Sequence, residues 1–149
     1  MIEFEVFGVP IPKGSTKAFM RPGMKFPIVT ADNDKTKPWA QMVKLVAQQM
    51  RPKEIWDGPV ALQIRFQMPR PKSLPKTRFS FHLKKPDLDK LLRNIKDALK
   101  GVLYLDDAQV VATDVVKLYA QSPSVIIRAY PIELATCGFD FQERHLTHP

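Results

Sequence analysis

Fourteen prolines decide where this 149-residue chain can form regular structure. Proline gives no N–H to a ladder or a helix interior, so regular elements are confined to the stretches between prolines. Before Pro10, Ile2 to Val9 alternates and reads as a strand, with Ile2, Phe4 and Val6 on one face and Glu3 and Glu5 on the other. Pro10, Pro12, Gly14, Pro22, Gly23 and Pro27 then predict a long irregular loop, of the kind that often carries function. Trp39, Met42, Val43, Val46, Ala47 and Met50 recur at helical spacing. A helix is therefore expected to about Arg51, with Thr36 as its cap, Pro38 in its first turn and Pro52 as its stop.

Val60 to Met68 is the second strand, with Val60, Leu62, Ile64, Phe66 and Met68 on one face. Pro69 to Pro86 is a basic loop that its prolines keep out of regular structure. Leu88, Leu91, Leu92, Ile95 and Leu99 form the stripe of a second helix, from Leu88 to about Lys100, ended by Gly101. Strands at about Val110 to Tyr119 and Ser124 to Leu134 follow, turning at Gln121 to Pro123. The order β-α-β-α-β-β predicts an α+β fold, a small mixed sheet packed with two helices and carrying long basic loops.

A single domain over residues 1–134 is expected, with 135–149 a loosely ordered tail. A hydrophobic share of 44% suits a domain of this length, able to bury roughly 70% of its unfolded surface. The lone Cys137 excludes an intramolecular disulfide and a cysteine-rich zinc site. Met1-Ile-Glu-Phe-Glu-Val has acids where a signal peptide needs cations. No apolar run approaches the roughly 20 residues that span a bilayer. A soluble, cytoplasmic protein with no membrane partner is the expectation.

The net charge of +8 favours a polyanionic partner. Its distribution sharpens that reading. Acids are absent from Val6 to Ala31, which holds Lys13, Lys17, Arg21 and Lys25. They are absent again from Gly58 to Pro86, which holds Arg70, Lys72, Lys76, Arg78, Lys84 and Lys85. These ten cations are the candidate DNA-binding residues. Asp87, Asp89, Asp97, Asp106, Asp107 and Asp114, by contrast, crowd one short stretch. Basic loops around an acidic centre suit a protein that grips a phosphate backbone and holds divalent cations.

Each acid also has a plain structural use. Asp87 is a good N-cap, and Asp89 in the first turn complements the helix dipole. Asp89, Arg93 and Asp97 are spaced as a ladder of surface ion pairs, and Asp106 and Asp107 suit a turn. Together, however, a helix led by two carboxylates and followed by a turn with two more is expected to bring three or four acids to one point, provided it folds back beside the strand it feeds. Clustered carboxylates need a cation. Mg²⁺ prefers oxygen ligands and phosphate, and beside a phosphodiester it activates water and stabilises the leaving oxygen. Arg93, one turn beyond Asp89, is placed to offset charge on the scissile phosphate.

The block Lys85-Pro-Asp-Leu-Asp-Lys-Leu-Leu-Arg-Asn-Ile-Lys-Asp-Ala-Leu-Lys-Gly-Val-Leu-Tyr-Leu-Asp-Asp-Ala-Gln-Val110 resembles the signature of the RusA family of Holliday-junction resolvases. The shared features are Asp-Leu-Asp, Asp-Ala-Leu one helix later, and Asp-Asp-x-Gln after a short apolar link. The first strand running into Gly8-Val-Pro-Ile-Pro-Lys-Gly14 is also similar to family members. The resemblance implies a Mg²⁺-dependent homodimeric endodeoxyribonuclease, with Mn²⁺ a possible substitute, that resolves four-way DNA junctions by paired symmetric nicks in recombination and repair. It needs no small-molecule cofactor.

Carried over by position, the catalytic and metal-binding carboxylates are Asp87, Asp89 and Asp107. The resemblance, not the spacing, selects Asp107 over Asp106. It also suggests a nucleoid-associated bacterial enzyme, phage or prophage encoded in many cases. Two positions depart from the family pattern. Lys90 stands where an asparagine is usual, and Arg93 stands in place of the customary lysine, with Lys96 on nearly the same face. Arginine grips phosphate bidentately but does not donate a proton readily. The competing reading is a non-catalytic branched-DNA-binding protein with a decayed nuclease site; a third is a nuclease for another branched DNA or RNA. Phe79, Phe81 and His82 are candidates to stack on exposed bases or to fill core.

Overall fold

The computed structural model describes residues 1–14, 16–19, 22–23, 26, 28–31, 34–75 and 80–133, with the backbone alone for 16–19 and 28–31. The elements are β1 (Ile2–Phe7), β2 (Thr16–Phe19), β3 (Ile28–Ala31), α1 (Thr36–Met50), β4 (Val60–Pro69), α2 (Leu88–Leu99), a 3-10 turn (Asp107–Gln109), β5 (Val110–Ala120) and β6 (Ser124–Pro131). The expected α+β order holds, with β2 and β3 added. The irregular loop predicted after Pro10 contains this antiparallel hairpin, paired from Thr16↔Ala31 to Phe19↔Ile28. Its strands occupy the proline-free gaps, and Gly23 has the positive φ of 90° that a side chain resists.

The main sheet runs β1-β6-β4-β5. β6 is antiparallel to both β1 and β4, while β4 and β5 are parallel. Parallel neighbours need a crossover, and α2 supplies it. α1 and α2 pack against each other and cover one face of the sheet. There Phe4, Val6, Leu62, Ile64 and Phe66 meet Trp39, Val43, Leu91, Ile95 and Leu99 in one core. The alternation read in β1 and β4 is therefore the inside–outside alternation of a sheet covered on one face. Glu3, Gln63, Arg65, Asp114 and Arg128 line a polar hollow of about 230 Å³ on the uncovered face, where Arg128 donates to Glu3 at 2.6 Å.

Three local expectations change. Thr36 is the first residue of α1 and not its cap; its hydroxyl donates to Pro12 O at 3.0 Å and ties the proline loop to the helix. Met42 and Met50, read as part of the buried stripe, are about half exposed, because the buried face of the helix is Trp39, Val43 and Ala47, with Ala40 and Val46 packed at the margin of the core. The last strand ends at Pro131 rather than Leu134, which lies outside the described residues, as do 135–149.

Candidate active site

Asp87 occupies the N-cap position of α2 in extended conformation, yet its side chain makes no capping hydrogen bond. The carboxylate is about half exposed, with Lys90 Nζ 3.6 Å away. An exposed pair of this kind contributes little to stability. Asp89 and Arg93 are also exposed, and neither forms an ion pair among the described residues. The expected Asp89–Arg93–Asp97 ladder is absent there. Asp97 instead pairs with Lys13 from the proline loop. Asp87, Asp89 and Arg93 thus keep their charge on the surface, unspent on folding.

Three contacts hold this end of α2. Asn94 is 2% exposed within the apolar stripe, and its amide donates to Ile11 O at 2.8 Å. Lys13 N–H donates to Lys90 O at 2.9 Å. From β5, Lys117 Nζ donates to Lys84 O and Pro86 O at 2.8 and 2.6 Å, fixing the backbone just before Asp87. Between the proline loop and this backbone lies a trough of about 420 Å³. Val9, Pro10, Ile11, Pro12 and Met68 wall it, and Lys85, Asp87 and Lys90 rim it.

The second pair of acids has a different fate. Asp106 caps the 3-10 turn, accepting from Ala108 N–H at 2.9 Å, while its own N–H donates to Gln109 Oε1 at 2.8 Å. Lys100 Nζ donates to Asp106 at 2.6 Å and stands 3.7 Å from Asp107. The Lys100 hydrogen bond, then the Ala108 N–H, hold the Asp106 carboxyl down at about 2, and Asp106 raises Lys100 in return. Gln109 Nε2 donates to Trp56 O and Gly58 O at 3.0 and 2.9 Å, which clamps the turn to the loop before β4. Asp106 is therefore consumed in building the turn and Asp107 is not. Tyr104 beneath them is fully buried and donates to Lys96 O at 2.9 Å. Burial first, then Asp107 and Asp97, push its hydroxyl well above the usual tyrosine range, so it stays a neutral donor.

The expectation that these acids meet is corrected. Among the described residues no three His, Cys, Asp or Glu side chains lie close enough to hold a metal ion. α2 does fold back beside β5, but Pro86 is thereby tied to Lys117 near the end of β5, while Asp107 stands before its start. Twelve helical residues put about 18 Å between the Asp87–Asp89 end and Lys100, which holds Asp106. Asp114 is on the far face of the sheet, in the polar hollow. For a divalent metal, one chain offers two half-sets: Asp87 with Asp89, and Asp107 alone. A single chain does not fit a three-carboxylate metal site.

Both halves fall inside one match. The profile described as Endodeoxyribonuclease RusA covers residues 8–130. The chain belongs to the RusA endodeoxyribonuclease family. A similar chain, "Uncharacterized protein YqaN" of Bacillus subtilis (strain 168), is 35% identical over 133 residues, which is 83% of this chain and 92% of that one. RusA-family nucleases act on branched DNA and depend in general on a divalent metal.

The cations expected at the DNA of a RusA-family enzyme divide by position. Lys84 and Lys85 are exposed just before Asp87, and Lys72 is exposed in the loop after β4. Arg70 is half-buried, its guanidinium donating to Pro75 O. Lys13 is committed to Asp97. Arg21, Lys25, Lys76, Arg78 and the side chain of Lys17 lie outside the described residues, as does Phe79. Phe81 is 59% exposed, whereas His82 is buried with its ring 4.7 Å from that of Tyr119, and it is not free to stack on a base. Burial, then Lys117, lowers its pKa. No helix is long and apolar enough to cross a membrane, among the described residues.

Sequence reasoning missed Asn94 and Lys117 and did not explain Gln109. Asn94 was visible as the one polar residue within the stripe Leu91, Asn94, Ile95, Ala98. Lys117 was visible as a lone cation on the same strand face as Val115 and Tyr119.

Proposed function

We propose that this protein is a divalent-metal-dependent endodeoxyribonuclease that resolves four-way DNA junctions by paired symmetric nicks, acting as a homodimer in recombination and repair. The observation that carries the reading is the start of α2. Within a RusA match, Asp87, Asp89 and Arg93 sit exposed, unspent on folding, beside Lys84, Lys85 and Lys90. Mg²⁺ is the proposed ion, with Mn²⁺ as substitute. Asp87, Asp89 and Asp107 are the proposed catalytic and metal-binding carboxylates. Asp106 is taken up as the cap of the turn and by the close Lys100 hydrogen bond, whereas Asp107 has only the longer 3.7 Å ion pair with Lys100, and this supports the choice within that pair.

The roles of the chain's own side chains follow from charge and position. Lys84, Lys85 and Lys72 hold phosphates of the junction arms, with Lys17, Arg21, Lys25, Lys76 and Arg78 of the two acid-free loops expected beside them, along with Arg70, and with Lys13 once it exchanges its Asp97 partner for a phosphate. Lys90 pairs with Asp87 in the absence of DNA and is free to turn to a phosphate when one arrives. Arg93, always charged, clamps the scissile phosphate as charge develops on it. The apolar trough beside Asp87 gives the flanking sugar or base a dry wall. The protein is proposed to work in the bacterial cytoplasm at the nucleoid, from a host or phage gene.

The experiment compares a four-way junction, a replication fork and a linear duplex of matched sequence, each labelled, with Mg²⁺ and with EDTA. Mg²⁺-dependent nicking of the junction above the fork and duplex is expected. Tight junction binding with no nicking in Mg²⁺, nor when Mn²⁺ replaces it, would establish the non-catalytic binder instead. Preference for the fork would keep the chemistry and replace the substrate.

A further inference from the structure

We infer that the trough beside Asp87 is a base-binding site. One nucleobase next to the scissile phosphate leaves the stack at the junction crossover and lies between the proline loop and Pro86, with its phosphates on Lys85 and Lys90. The inference deepens the proposed function and rests on its branched-DNA substrate.

The trough is built to stay open. Pro10, Pro12 and Pro86, which line it, have φ fixed by their rings. The backbone around them is tied to remote segments. Gly8 N–H donates to Pro123 O at 3.0 Å, the Thr36 hydroxyl to Pro12 O at 3.0 Å, and the Asn94 amide to Ile11 O at 2.8 Å. On the other wall, Lys117 Nζ holds Lys84 O and Pro86 O. Met68, 3% exposed near the end of β4, backs the space between the walls. The volume of about 420 Å³ falls within the roughly 300–1,000 Å³ of small-ligand sites. A cleft fixed in this way binds without first having to be ordered.

Lining and rim together select the ligand. The proline-loop wall is apolar, whereas Lys85 and Lys90 stand exposed on the rim and Lys84 adjoins them. An apolar peptide would leave Lys84 and Lys85 without an anion, and a free anion would leave the apolar wall uncovered. A nucleotide satisfies both, with its base in the trough and its phosphates at the ammonium groups. Lys90 stands where the RusA family usually carries asparagine, so the second rim cation belongs to this chain. Ile11 O and Pro12 O already accept from Asn94 and Thr36, and the prolines have no N–H. The wall thus offers the edges of a base few hydrogen bonds and offers its faces a dry surface, a contact that tolerates different bases. Extruding a base costs least where the duplex is already disturbed, and a crossover is such a point. His82, a candidate for stacking in the sequence, is held against Tyr119, and the trough takes that part beside Asp87.

Fluorescence of 2-aminopurine, which brightens when it leaves a base stack, reads this directly. The analogue is placed singly at each nucleotide flanking the crossover of a four-way junction, and binding is followed with EDTA present. Wild type is expected to raise the signal several-fold at one nucleotide of each symmetric pair and to leave its neighbours quenched. Val9→Gln alters a wall position that is 46% exposed, so the core is spared while the trough is filled and wetted with no change of charge. It should abolish that rise and weaken junction binding by about tenfold, with the salt slope unchanged. A junction made abasic at the same nucleotide should be bound equally by wild type and Val9→Gln, which separates a lost contact from a damaged fold. No rise at any flanking nucleotide, or a rise that Val9→Gln leaves intact, overturns the base site. Nicking in Mg²⁺ without a rise leaves the nuclease standing and removes the base site. A rise without nicking in Mg²⁺ or Mn²⁺ removes the nuclease and leaves the base site to a junction binder. Failure of wild type to bind any junction overturns both.

Discussion

Gln109→Ala tests whether the turn carrying Asp107 is held in the way the structure indicates. Among the described residues, Gln109 is the side chain that hydrogen-bonds the Asp106–Gln109 turn to the loop before β4. It donates to Trp56 O and Gly58 O and accepts from Asp106 N–H, with all three distances between 2.8 and 3.0 Å. A hydrogen bond contributes about 0.5–1.5 kcal/mol net, and more when its loss strands a buried partner. The two carbonyls belong to half-buried residues, whereas the Asp106 N–H is exposed and finds water. The loss is therefore expected near 2 kcal/mol, about two bonds' worth. In a chain of this size that lowers Tm by about 4–8 °C. Thermal and urea unfolding of purified protein measure it, with circular dichroism as the readout. Gln109→Glu sharpens the test, since it keeps the acceptor for Asp106 but sets a carboxylate against two carbonyls, and it should cost at least as much at neutral pH. If both variants unfold within about 0.5 kcal/mol of wild type, the scale of an ordinary surface change, the clamp does not hold the turn and the reasoning fails.

Three other expectations follow from the same contacts. His82 has a folded pKa below its ordinary 6.5, so its contribution to stability is full above that value and declines as pH falls below it; unfolding midpoints across pH 5–8 should show this slope in wild type and lose it in His82→Phe. Removing Lys84 and Lys85 together by alanine should flatten the salt dependence of junction affinity, lowering the slope of log K against log salt by nearly 2, at about 0.9 per phosphate contact; an unchanged slope would take both lysines out of the interface. Arg93→Ala should lower nicking by about 10²–10³ with junction binding retained, whereas Arg93→Lys stays within a few-fold of wild type; a large gain on Arg93→Lys would show that this position works as a proton donor and not as a clamp.

Much of the fold was legible because proline and the apolar stripes speak plainly. Pro52, Pro69 and Pro86 bound α1, β4 and the long loop, and Leu91, Ile95 and Leu99 bury the face of α2 that their spacing assigns. The β2–β3 hairpin was not legible, because its four-residue strands are too short to carry a period among prolines and glycines. In the candidate site, the identity of the acids was readable but their convergence was not. Spacing along the chain puts Asp89 and Asp107 one helix and a turn apart, and only the direction of α2 against β5 reveals that this spans the length of the helix rather than closing a circle. The use of Asp106 as a cap and Gln109 as a clamp depends on the Trp56–Gly58 loop, far away in sequence. Asn94 and Lys117 likewise act on backbone carbonyls from remote segments, which a pattern of residue types does not encode.

The central claim is cleavage, and it is tested most directly by mapping nicks on a labelled mobile four-way junction, with Mg²⁺, by wild type and by Asp89→Asn. Removing one carboxylate that has no partner among the described residues leaves the fold intact, so unfolding midpoints of the two proteins should agree. Wild type is predicted to leave paired nicks at symmetric positions in opposing strands, and Asp89→Asn to bind the junction as tightly and cut neither strand. Equal cutting by both proteins, or bound junction left whole by wild type, would contradict the account.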